Sequence, residues 1–291
     1  MGRKLKRPVT VKWLAEIIGC EYSGEFGNII RVDSAHEAGS HSLCFVKNRT
    51  WAQRVGAESV VIGSHDDLDG LQVEAIYSRN ARLDFARILA ALDIQIGFTW
   101  SELPPEIHPS ARIGANVVIA NGVRIGADTV IGHNVVIGRE VVIGDRCNIK
   151  SCAVIGEEGF GFERDESGAA VRLPHIGTVV IGNDVEVGSL TTVCRGTLDN
   201  TIICDGVKID DHVHIAHNIR VDEHAFIIAC AEISGGVSIG KRAWIAPGSS
   251  ILNQLSVGDD AVVGLGAVVV KSVESGVTVV GNPARPLKHH D

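Results

Sequence analysis

The sequence predicts a two-part chain, an α/β domain followed by an all-β parallel β-helix with a short tail. Three observations carry that reading. Isoleucine recurs every sixth residue at Ile107, Ile113, Ile119, Ile125, Ile131, Ile137, Ile143, Ile149 and Ile155. The register resumes at Ile181, Val187 and Val193, and again runs from Ile203 to Val269. Before about residue 105 it is absent. A period of six matches neither the ~3.6 of a helix nor the two of a strand, so each hexad is one step of a solenoid. Three steps close a triangular coil, with the aliphatic residue inside and a following glycine or small residue expected to allow the corner.

The elements follow in order. VTVKWLAEIIGCEY predicts a short helix, LCFV and SVVIG predict strands, and ARLDFARILAAL predicts a helix. Pro104 and Pro105 end that helix within TWSELPPEIHPSA, and Ile107 opens the first hexad. The expected division is 1–105 for the α/β domain, 106–273 for the β-helix and 274–291 for a closing tail, since an open last coil would expose a strand edge. Two interruptions break the repeat. One runs from Glu157 to about Val180, and the other is CRGTLDNTI, where the register slips by four. Insertions in a solenoid collect on a binding face, so both are candidates for function.

Composition narrows the classes. Among 291 residues there are 33 glycines and only 4% aromatic residues, as a solenoid of aliphatic columns requires. A net charge of −8 argues against a nucleic-acid partner, leaving local basic pockets open. The seven cysteines (Cys20, Cys44, Cys147, Cys152, Cys194, Cys204 and Cys230) form no CxxC or zinc spacing and read as reduced thiols of a cytoplasmic protein. MGRKLKRPVT lacks an apolar leader, and no apolar run of membrane-spanning length occurs.

Two features suggest chemistry. Gly159-Phe160-Gly161-Phe162 places two aromatic rings on pliant backbone in a chain poor in them, which favours recognition. In DDHVHIAHNIR, His217 follows the inward Ile215 near a corner. An imidazole there can take a proton from an attacking amine, being free near neutral pH yet able to hold the proton transiently.

The run GFGF…IGTVVIGNDVEVGSLTTVCRGTLDNTIICDGVKIDDHVHIAHN resembles the UDP-3-O-acylglucosamine N-acyltransferases of lipid A biosynthesis. The resemblance covers most of the chain and implies a left-handed coil. It makes His217 of I-A-H-N the catalytic base, with Asn218 beside it and Asp210, seven residues upstream, as its acidic support. It also implies that uracil is held by Phe45, Asn48 and Trp51 within LCFVKNRTWAQRV, with Phe160, Phe162 and His214 among the substrate contacts. Gly235 and Gly236 fall where a backbone N–H would stabilise the oxyanion. No cofactor is tightly bound and no metal is required. The donor is an acyl thioester of phosphopantetheine, on acyl carrier protein or coenzyme A, and the acceptor is a UDP-amino sugar. A cytoplasmic homotrimer is implied.

The chain also departs from the family pattern. Gln254 stands where relatives carry a second histidine, and His214 stands where a glutamine is usual. The sequence ends at GNPARPLKHHD without the family's longer helical extension, and G-N-P-A-R resembles acetyl-CoA-dependent sugar acetyltransferases. Two other readings therefore stand beside the first. One is an acetyl-CoA-dependent N-acetyltransferase of a nucleotide-linked amino sugar. The other is a zinc enzyme resembling the γ-class carbonic anhydrases, in which His175, His212 and His217 would be ligands. Gly235, Gly236, Gly264 and Gly266 either leave a groove for an acyl chain or merely fit tight corners.

Overall fold

The computed structural model describes residues 2–24, 28–56 and 58–287, so the last four residues of the expected tail lie outside it. The chain divides into two compact units, one of residues 1–99, 160–177 and 197–199, the other of 100–159, 178–196 and 200–291. Residues 160–177 of the first interruption and 197–199 of the second therefore group with the N-terminal unit and not with the solenoid. The boundary also falls before the two prolines, because the Thr99 N–H donates to the Lys4 carbonyl at 2.8 Å and ties this strand end to the N-terminal sheet.

The N-terminal unit is an α/β layer. Its elements are β1 (Arg3–Val9), α1 (Val11–Ile18), β2 (Glu21–Ser23), β3 (Ile29–Val32), β4 (Ser42–Phe45), α2 (Arg49–Ala52), β5 (Val60–Gly63), α3 (His65–Leu68), β6 (Glu74–Tyr77) and α4 (Ala81–Gln95). The sheet order is β1-β3-β4-β5-β6-β2, with β3 to β6 parallel and β1 and β2 antiparallel at the edges. β5 is buried along its whole length, as a parallel strand covered on both faces must be. Thr10, Asn48, Ser64 and Asn80 cap the four helices with side-chain oxygens, each accepting a first-turn N–H.

Residues 160–177 add an antiparallel hairpin, Phe162–Arg164 against Ala170–Arg172. Asp165 shapes its turn by accepting the Ser167 and Ala169 N–H groups, both at 2.9 Å. Two arginines of α4 grip the hairpin. Arg82 pairs with Glu163, and Arg87 Nη2 lies 2.5 Å from Glu166.

The second unit is a three-faced parallel β-helix. Its first face has eight strands, from Glu106–Ile107 to Ser256–Val257. The second has ten, starting at Arg112–Ile113, and the third has eight, from Val118–Ile119 to Val268–Val269. Stacked positions lie 18 residues apart, 38 across the first interruption and 22 across the second. The inward aliphatic residues form one continuous buried column from Ile125 onward, whereas Ile107 and Ile113 of the first coil are exposed because no coil precedes them to cover that end. Each fully buried isoleucine or valine contributes about 1.5–3 kcal/mol relative to exposure. The six-residue register is lost after Val269, where Val273 and Val279 stack only 16 residues beyond Val257 and Val263, yet Thr278–Val280 still extends the second face and Arg285–Pro286 pairs with it antiparallel.

The corners differ from the expectation in one respect. The left-handed residue is the third after the aliphatic one, as at Asn116 (φ 57°), Asp128 (57°), Asn134 (56°) and Asn218 (60°), where Asn and Asp are the non-glycine residues best suited. The glycine directly after the aliphatic residue serves close approach instead. At Gly144 an added Cβ would lie 2.6 Å from the Gly182 carbonyl oxygen of the next coil.

Side chains join consecutive coils along two edges. Between the first and second faces, Asp145 Oδ1 accepts the Ala127 N–H (2.7 Å), Asn183 Oδ1 accepts the Asp145 N–H (2.9 Å), and Asp205 Oδ1 accepts the Asn183 N–H (2.7 Å). Between the second and third faces, Ser151 accepts the His133 N–H and Asp211 accepts the Ser189 N–H.

Candidate active site

The third edge, where the chain passes from the third face back to the first, is where the solenoid is broken. In the coil ending at Ile155 the chain leaves at Glu157, and in the next, after Val193, it slips through Arg195. His217 occupies the same corner position one coil later, two residues after Ile215. The departure point is braced. Arg195 is buried, its Nε donates to the Gly156 carbonyl at 2.6 Å, and its N–H donates to the Glu157 carbonyl at 2.9 Å. Its guanidinium lies 5.2 Å from the centre of the Trp100 ring, which Arg139 also approaches.

His217 is half-buried, and its Nδ1 lies 2.9 Å from Asn218 Oδ1. With Nδ1–H donating to that carbonyl oxygen, Nε2 carries the lone pair, the tautomer a general base needs. Asn218 can turn its amide back toward the ring because it holds the left-handed corner, and its N–H donates to the buried Thr201 hydroxyl at 3.0 Å.

Gly235 lies directly over the imidazole. An added Cβ there would come within 2.7 Å of His217 Cε1 and 2.8 Å of Nε2. At Asp145, Asn183, Asp205, Ser151 and Asp211 on the other edges this corner position holds a side chain that caps the neighbouring coil, so glycine here exchanges such a rung for open space beside the ring. Gly236 differs from its neighbour. Its N–H is engaged, donating to the His217 carbonyl at 2.9 Å. Gln254, in the place of the family's second histidine, lies beside Gly236 one coil further on.

The remaining expected residues are placed as follows. His214 faces outward on the third face in register with Glu232, its Nδ1 2.7 Å from the Thr192 hydroxyl. Asp210 sits at the opposite end of that face from His217, where its carboxylate accepts the Ala229 N–H at 3.2 Å. The two are not brought together within one chain. His212 and His217 likewise occupy different corners, and no cluster of three or more metal-ligating side chains occurs among the described residues.

In the N-terminal unit, Phe45 ends β4 half-buried against Phe85, with ring centres 4.7 Å apart. Asn48 Oδ1 is occupied in capping α2, which leaves its NH2 as the outward donor. Trp51 is exposed and Arg54 lies 5.3 Å over its ring. Phe160 is almost fully exposed and meets Phe162 at 4.9 Å on the hairpin. Sequence reasoning missed the grip of Arg82 and Arg87 on that hairpin, because nothing in linear spacing joins α4 to residues 160–177.

Strands repeating every six residues around a three-faced parallel β-helix are the architecture of the hexapeptide-repeat transferases. The hexapeptide family described as bacterial transferase hexapeptide (six repeats) matches residues 104–139 and 122–157. UDP-3-O-acylglucosamine N-acyltransferase of Coxiella burnetii is 34% identical over 91% of this chain and 86% of its own. The enzyme of the same name from Bordetella pertussis is 42% identical over 43% of this chain, and that match spans 35% of its length. The chain belongs to the UDP-3-O-acylglucosamine N-acyltransferase family. Among solved structures, LpxA from Acinetobacter baumannii (24% identity, TM-score 0.58) is covered over 71% of its chain and 65% of this one, which shows the solenoid fold. UDP-N-acetylglucosamine acyltransferase of Francisella novicida is similar at 25% identity and TM-score 0.50, covering 65% of this chain and 67% of that one.

Proposed function

We propose that this protein transfers an acyl group from a phosphopantetheine thioester to the amine of a UDP-amino sugar; its relatives' name, UDP-3-O-acylglucosamine N-acyltransferase, supports the acceptor and the bond formed. The observation that carries the reading is the pairing of His217, oriented by Asn218, with Gly235 above its ring on the broken edge. His217 Nε2 takes a proton as the sugar amine attacks the thioester carbonyl. The Gly235 N–H stabilises the tetrahedral oxyanion. Collapse forms the amide and expels the thiolate, which receives the proton held on His217. No step calls for a metal or a tightly bound cofactor.

Asp210 and His217 stand on different edges of one prism, so an acid-supported imidazole requires a neighbouring copy to bring its Asp210 edge against this His217 edge. A homotrimer with sites between subunits satisfies that requirement. Uracil is assigned to Phe45, Asn48 and Trp51, and acyl carrier protein to the donor role in the cytoplasm. The second reading, acetyl-CoA as donor, is favoured by the G-N-P-A-R ending. Thiol release measured with 3-hydroxyacyl carrier protein and with acetyl-CoA, on a UDP-3-O-acylglucosamine acceptor, separates them. Turnover with the carrier protein supports the first, turnover with acetyl-CoA alone supports the second, and full activity in His217→Ala refutes both.

A further inference from the structure

The carboxyl ends of β4, β5 and β6 surround a cavity of about 250 Å³ that none of the residues assigned above lines. Lys47, Arg79 and Arg82 border it, together with Ser64, Asn80 and the single carboxylate Asp67. Open parallel sheets bind ligands at this end of their strands. Asp67 is engaged by the Ser64 hydroxyl at 2.7 Å, whereas neither Lys47 nor Arg79 has an ion-pair partner among the described residues. Asn80 and Ala81, the cap and first residue of the 15-residue α4, add the positive end of a helix. Three cations, a helix N-terminus and one occupied carboxylate make a receptor for an anion of high charge. Lys47 also lies between Phe45 and Asn48 in sequence, so a nucleoside held there would carry its phosphates toward this cavity.

Arg82 has a second engagement. It lines the cavity and pairs with Glu163 of the hairpin that carries Phe160 and Phe162. We propose that the cavity takes the diphosphate of the nucleotide and that Arg82 is exchanged between the diphosphate and Glu163, so that occupancy loosens the 160–177 hairpin. This rests on the nucleotide-sugar reading for its natural ligand, but the cavity itself can be probed without a nucleoside.

Calorimetry with inorganic pyrophosphate and with UDP, on the full chain, tests both parts. The double variant Lys47→Ala/Arg79→Ala is expected to weaken both ligands about tenfold or more, while uridine binding is unchanged. Glu163→Gln releases Arg82 from its competitor and is expected to tighten both ligands several-fold, an effect that Arg82→Gln abolishes. Amide exchange of residues 162–172 is expected to quicken when pyrophosphate is added to the native protein. Native pyrophosphate affinity in the double variant overturns the anion site. Unchanged affinity in Glu163→Gln, or hairpin exchange that stays constant or slows, overturns the shared arginine. If UDP binds no tighter than pyrophosphate, the uracil assignment to Phe45, Asn48 and Trp51 fails, and the pyrophosphate measurements still decide the cavity.

Discussion

Two edges of the same prism do opposite work. Between the first and second faces, Asp145, Asn183 and Asp205 occupy successive corners, and each carries the N–H of the coil before it. Between the third and first faces, the successive corners hold Glu157, Arg195, His217 and Gly235, with an interruption after each of the first two. The first edge repeats and so only stabilises. The second departs from the repeat at consecutive coils, and the freed positions carry an imidazole, a glycine beside it and the starts of two insertions. In a solenoid the information about function lies where the structural rung is missing.

The largest effect that bears on this contrast is His217→Ala. Loss of a general base is expected to lower turnover by about 100- to 10,000-fold. Stability should stay within about 0.5 kcal/mol of the native value, because the side chain is no rung. A denaturation curve with unchanged midpoint alongside the kinetic loss checks both halves. Asp210→Asn is expected to lower turnover as well. If its partner His217 belongs to a neighbouring copy, mixing inactive His217→Ala subunits with Asp210→Asn subunits restores part of the activity, since some sites then combine one intact residue from each. Absence of any recovery in verified mixed oligomers would break the inter-subunit assignment.

Glycine substitutions sharpen the comparison next. Gly235→Ala drives its methyl group into the His217 ring, a movable side chain, so a loss of roughly 100-fold in turnover is expected with little change in melting. Gly144→Ala drives the same methyl group into the Gly182 backbone, so melting should fall sharply while the folded fraction keeps its specific activity. The two variants are chemically identical and should have opposite signatures.

How far such positions could be read in advance differed between the units. The hexad register gave the buried aliphatic column from Ile125 to Val269, because one period governs coil and stacking alike, but not Val273 and Val279 beyond the point where that period is lost. His217 and Asn218 were legible through the I-A-H-N motif and prove adjacent. Gly235 and Gly236 could not be told apart, since which N–H is engaged depends on the neighbouring coil. The glycine after the aliphatic residue, expected to allow the corner, does not hold the left-handed position, for a related reason. That glycine answers to the coil above it, a contact no local pattern encodes. In the N-terminal unit, Phe45 leans on Phe85 of α4 whereas Trp51 is exposed. Only tertiary packing sets that asymmetry.

Along the regular edge the expected effects are smaller. Asp145→Ala removes the acceptor of the Ala127 N–H and should cost about 1 kcal/mol in denaturant unfolding without altering turnover.

The smallest effect comes from the charges at the outer tips of the same edge. Arg146 pairs with Asp184 at 2.7 Å and Arg242 with Asp260 at 2.7 Å, in consecutive left-handed corners. In each pair the arginine's hydrogen bond holds the carboxyl below its usual range. A depressed carboxyl contributes stability that is fully present above the unfolded value of about 3.9 and is lost as pH falls through the folded one. Melting temperature should therefore begin to drop below about pH 4. These groups are exposed, so the drop should be slight and should shrink further in high salt. Asp184→Asn/Asp260→Asn should flatten that part of the acid limb while leaving the plateau near neutrality almost unchanged. An equally steep limb in the double variant would break the assignment of that limb to the Arg146–Asp184 and Arg242–Asp260 pairs.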